Sequence, residues 1–94
     1  MSKLTLEQVK YNLGRVPGWR LDAGQLSLSR TVTCQDLLSA VHLAGLAAER
    51  VGQDSDHLEM RLTGHEVTFI LTSKSAKGLT GTDFALAQMI NKLL

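Results

Sequence analysis

The chain has 94 residues, 44% of them hydrophobic and 20% charged, with a formal net charge of +1. That balance suits one folded globular domain spanning 1–94, since disorder takes less apolar surface and more net charge, and it lacks the basic field that phosphate-dominated nucleic-acid binding requires. A single cysteine, Cys34, excludes an intramolecular disulfide; with no signal-peptide core and no 18-residue apolar run, the expected location is cytoplasmic.

The first element is a helix. Thr5 followed by Gln8 reads as a capping box, and Leu6, Val9, Leu13 and Val16 recur near helical spacing. The helix is expected over 5–13, ended by Gly14 at a C′ position and by the turn "VPGW", since Pro17 cannot continue an intrahelical ladder. Trp19 then opens a short strand. Up to Val32 the sequence alternates, with Leu26, Leu28 and Val32 on one face and Ser27, Ser29 and Thr31 on the other, and "DAGQ" reads as a hairpin turn.

Thr33 with Asp36 three residues on is a second helix start, and Leu37, Val41, Ala44, Ala48 and Val51 form the apolar stripe of a long helix over 34–52. Small residues, "AGLAA", crowd its middle. They either serve a helix-to-helix contact between copies or let the helix sit close to a sheet. A second hairpin follows, with Leu58, Met60 and Leu62 alternating against Glu59, Arg61 and Thr63, and Val67, Phe69 and Leu71 alternating beyond the turn Gly64-His65. After the loop "TSKSAKG", Thr80 and Thr82 offer caps for a last helix whose apolar stripe is Leu86, Ala87, Ile90, Leu93 and Leu94. The order α-β-β-α-β-β-α gives an α+β fold, an antiparallel four-stranded sheet with three helices packed on one face.

Few residues suggest chemistry. His42 and His65 have no cysteine or carboxylate at metal-ligand spacing, so no metal site is expected, and Cys34 has no histidine in a nucleophile signature. His57 follows Asp56 where a helix end meets a strand start; it is either a solvated residue at a strand mouth or a group in a cleft. Lys74 and Lys77 flank a loop of small residues that either contacts an anion or is only a solvated turn. Asp83 lies where a carboxylate favours the positive end of a helix dipole.

Taken together, "PGW" before the first strand, Asp36 opening the long helix, Asp56-His57 entering the third strand and "GLTGTDFALAQMI" at the end resemble the pterin-4a-carbinolamine dehydratases. The resemblance runs from Trp19 to the C-terminus and implies the fold already read. It also implies a site with three histidines, of which only the second is kept. Asp56 stands at the first position, His57 at the second, Leu58 at a proline position and Lys74 at the loop histidine, while Asp83 is retained. The aromatic positions of the family's second strand hold Ser29, Val32 and Cys34.

Dehydrating a 4a-hydroxytetrahydropterin requires an acid for the departing hydroxyl and a base for the pterin nitrogen proton. Imidazoles near pKa ~6.5 suit both tasks, whereas a solvated ammonium near pKa ~10.4 does not. The resemblance narrows on this account to the degenerate-site branch associated with α-carboxysomes, which implies a non-catalytic assembly factor for RuBisCO. Such a protein takes no cofactor, forms a homodimer or higher homo-oligomer, and is cytoplasmic with carboxysome association. Its partner contacts are expected from the open face of the sheet (Glu59, Arg61, Thr68, Ile70) or the rim with His57, Lys74 and Lys77. The alternative is a dehydratase of altered site, with His57 as acid or base and Asp56 as its orienting partner; binding to a transcription factor, as some family members do, is a third reading.

Overall fold

Thr5 begins the first helix as read: its hydroxyl accepts from Gln8 N–H while the Gln8 amide reaches back to Thr5 N–H at 2.9 Å. In this computed structural model, which describes residues 3–94, helix α1 runs Leu6–Leu13 and buries Val9. Gly14 ends it in ordinary right-handed backbone rather than the left-handed conformation expected of a C′ glycine. The left-handed glycine of this turn is Gly18, at φ 88°, where a Cβ would also lie 2.7 Å from the Arg30 guanidinium.

Strand β1 is only Arg20–Leu21, and β2 is Leu28–Thr33. Between them Gln25, at φ 59°, closes the turn, and Leu26 lies outside the strand and exposed rather than on its inner face. Helix α2 spans Leu37–Val51 with Asp36, not Thr33, as its N-cap, the Asp36 carboxylate accepting from Ser39 N–H at 2.8 Å. Thr33 instead ends β2. Two 3₁₀ turns over Gly52–His57 lead into β3, Leu58–Thr63, which pairs through a tight turn with β4, Glu66–Leu71. A short 3₁₀ turn over Lys74–Ala76 precedes helix α3, Gly81–Asn91.

The four strands form one antiparallel sheet, as expected, and their order in it is β1-β2-β4-β3. Register sets the two faces. Leu28, Leu71 and Leu58 lie side by side, as do Val32, Val67 and Leu62, and these rows form the face toward the helices, although Leu62 near the end of β3 is left exposed. Leu28, Val67, Phe69 and Leu71 are wholly buried with Ala40, Ala47 and Ile90; each large member stabilises by about 1.5–3 kcal/mol. Trp19 packs on Phe69 with ring centroids 6.4 Å apart. Its indole N–H donates to Asn91 Oδ1 at 2.8 Å, an oxygen that also accepts from Arg30 Nη1 at 2.7 Å. The second strand, the first turn and the end of α3 are thereby tied together.

Two apolar stripes differ from the reading. On α2 the buried residues are Ala40, Ala47 and Val51, while Leu37, Leu38 and Val41 are 55%, 77% and 48% exposed. The expected stripe is offset by about one position because alanines, not the larger side chains, face the sheet, which lets the helix approach closely. On α3, Phe84, Leu86, Ala87 and Ile90 are buried, but Leu94 lies past the helix end and is exposed. No described helix is long and apolar enough to cross a membrane.

Candidate functional site

The chemistry-bearing residues gather where β3 starts and β4 ends, beside the first turn of α3. Asp83 is the third residue of that helix, and its carboxylate reaches back to Thr80 N–H at 2.9 Å, half of a capping box. That geometry accounts for a carboxylate at the positive end of the helix. Yet Asp83 is fully buried, and it does more than cap: Oδ2 also accepts from Ser73 Oγ at 2.6 Å, and Oδ1 lies 3.0 Å from His57 Nδ1. Ser73 Oγ is itself 3.0 Å from the same Nδ1 and 2.8 Å from Thr80 Oγ1.

Hydrogen-bond roles follow from this arrangement. Ser73 spends its one proton on Asp83 Oδ2, so the oxygens facing His57 Nδ1 are both acceptors and Nδ1 carries the hydrogen. Nε2 is then the nitrogen that can exchange a proton, and it has no hydrogen-bond partner among the described residues. The His57 side chain is 17% exposed, at a cavity of about 40 Å³ lined in part by Asp56, Glu59, Ile70, Thr72 and Lys74. Ligand pockets for drug-sized molecules run to about 300–1,000 Å³. At about 40 Å³ this cavity lies well below that range.

Sequence reading placed Asp56, His57, Lys74 and Asp83 in one region, and the fold brings them there, but with different roles. Asp56 is exposed and makes no hydrogen bond to His57; Asp83 is the residue that orients the ring. Of the residues proposed for partner contact, Glu59 and Ile70 line the cavity with His57 and Lys74, whereas Arg61, Thr68 and Lys77 do not. Arg61 donates to Glu59 at 2.7 Å, Thr68 pairs with Thr31 across the open face, and Lys77 sits in left-handed backbone at φ 57°. Ser73 was missed. Its loop reads as generic turn sequence, and only the antiparallel bridge between Ser73 and Gly78 folds the hydroxyl back onto Asp83. His42 and His65 stay apart from the site, and among the described residues no group of three or more His, Cys, Asp or Glu is placed to hold a metal ion.

Residues 2–93 match the family model described as pterin 4 alpha carbinolamine dehydratase. The chain belongs to the pterin-4a-carbinolamine dehydratase family. It is 33% identical over 90 residues to a provisionally named pterin-4-alpha-carbinolamine dehydratase of Nocardia farcinica, covering 96% of this chain and 93% of that one. A relative of Acidobacterium capsulatum with the same provisional name is 30% identical over 94 residues, the full length of both. In three dimensions the chain resembles the crystal structure of a transcriptional coactivator/pterin dehydratase from Brucella melitensis, with a TM-score of 0.89, 24% identity and 98% of each chain covered. That likeness carries the fold alone. The dehydratase-family resemblance read from the sequence is thus established, with its α+β architecture.

Proposed function

We propose that this member of the dehydratase family is a non-catalytic assembly factor for RuBisCO, acting in association with α-carboxysomes. One observation supports a non-catalytic role above the others. A single imidazole, His57, faces a cavity of about 40 Å³ where the family resemblance calls for three, and Asp56 and Lys74 occupy the remaining positions. Each displaced general acid or base typically costs about 10²–10⁴ in rate. The link to RuBisCO rests on the resemblance to the degenerate-site branch. An assembly factor works by covering a subunit surface that is exposed before assembly, and by mass action this raises the yield of assembled enzyme. Co-expression with RuBisCO large and small subunits tests it: assembled holoenzyme on native gels rises with this protein present. Equal yields with and without it, for a homologous RuBisCO, sink the proposal.

The Asp83–His57 pair favours a second reading, a weakly active dehydratase. Asp83 fixes the tautomer that leaves Nε2 available, as a general base requires. Turnover of a 4a-hydroxytetrahydropterin above the buffer rate, abolished in His57→Ala, supports this reading, and a rate equal to buffer removes it.

A further inference from the structure

Charge is unevenly distributed along this chain. Segments 8–21, 23–35 and 84–94 contain Lys10, Arg15, Arg20, Arg30 and Lys92 and not one Asp or Glu, although the whole chain has nine acidic residues against ten basic ones. The fold brings these segments together at the end of α3. There Asn91 links Pro17, Trp19 and Arg30, and an open groove of about 290 Å³ is lined by Arg15, Pro17, Gln88, Asn91 and Lys92.

The cations of this end have no internal purpose as ion pairs. Among the described residues the ion pairs are His57–Asp83 and Arg61–Glu59, both elsewhere, and Arg30 donates to two neutral oxygens, those of Pro17 and Asn91. Attraction to the carbonyl end of a helix accounts for Lys92. It accounts in the same way for Arg15, just past the end of α1, but not for Arg30, which belongs to β2. Asn91 is a fixed wall, since its oxygen already takes two donors and its amide donates to Pro17 O at 3.1 Å. What remains available is the donor set of exposed Arg15 and Lys92, with the exposed Gln88 amide beside them.

We infer that this groove binds the carboxylate side chains of an acidic protein segment. A guanidinium fork and an ammonium suit carboxylates, and cation-rich grooves steer oppositely charged partners. A nucleic acid, with about one negative charge per 1.7 Å of duplex axis, extends past such a patch and meets the acidic remainder of the chain. A short acidic segment does not. The inference deepens the protein-binding reading above by naming the chemistry of the partner, and it places that contact away from the cavity at His57.

The test uses the full chain and a dye-labelled peptide of alternating Glu and Gly, with binding read by anisotropy at low salt. The peptide binds; Arg15→Glu combined with Lys92→Glu weakens it roughly tenfold or more, and added salt weakens it further. Lys74→Glu with Lys77→Glu, at the loop before α3, weakens binding less than the groove pair does, because neither lysine lines the groove. Circular dichroism melts confirm that both variants fold. Equal weakening by the two variant pairs overturns the inference, as does binding no tighter than that of a Gln/Gly peptide. Displacement of the peptide by a DNA oligonucleotide of equal charge at lower concentration overturns it too, and so does full displacement by millimolar phosphate. These outcomes are independent of the RuBisCO co-expression result, so failure of one reading is distinguishable from failure of the other.

Discussion

Asp83 offers a direct test of how the site is held together. Asp83→Ala removes the acceptor for Thr80 N–H, for Ser73 Oγ and for His57 Nδ1, at a position with no solvent exposure. Loss of a capping side chain costs about 1 kcal/mol, and a buried donor left without an acceptor about 1–3 kcal/mol. Ser73 can turn its hydroxyl to Thr80 Oγ1, 2.8 Å away, which limits the loss. The expected total is about 3 kcal/mol, and at about 4–8 °C per kcal/mol for a domain of this size the melting temperature falls by roughly 12–24 °C. Asp83→Asn keeps an acceptor for Thr80 and Ser73 but presents its amide to His57, so the ring proton must move to Nε2. That substitution costs about 1 kcal/mol and changes the imidazole tautomer. Calorimetric melts measure the first effect and nitrogen NMR of the His57 ring the second. An Asp83→Ala protein that melts within a few degrees of wild type, or an Asn variant with the proton still on Nδ1, refutes this account.

Two further outcomes follow from other parts of the molecule. The Asp36 carboxyl is held below its usual value of 3.8, chiefly by the hydrogen bond from Ser39 N–H and then by the Ser39 side chain, with His65 adding a smaller attraction. A depressed folded-state pKa means stability that is present above 3.8 and lost as pH falls through the lower folded value. Asp36→Ser keeps a cap that does not titrate, so the stability gap between wild type and variant is constant at neutral pH and shifts only below 3.8; a gap unchanged to pH 2 argues against the cap. On α2, Leu38→Glu with Val41→Lys leaves folding stability within about 0.5 kcal/mol because both residues face outward. If the outward face joins copies of the chain, sedimentation shifts from a homo-oligomer in the wild type to a 10.2 kDa species in the variant. A wild-type protein that already sediments at that mass removes the self-association proposal.

Local signals carried the order of elements, and each did so for a local reason. The Thr5 cap, the Asp36 start and the two-residue alternation of β3 and β4 depend on side chains three or two positions apart, so reading along the chain captures them. Which face of α2 turns inward was different. Leu37 and Val41 carry the stronger hydrophobic period, but the residues of α2 that turn fully inward are Ala40, Ala47 and Val51, since the close approach of the helix to β3 and β4 favours small side chains along its middle. The site shows the same division. His57 and Asp83 stand out by residue type, yet their separation in sequence gives no hint that one orients the other. Nor does it show that Ser73 completes the set. Those contacts exist because the strand pairing of β3 with β4 ends beside the first turn of α3, and burial there requires every polar atom to find a partner.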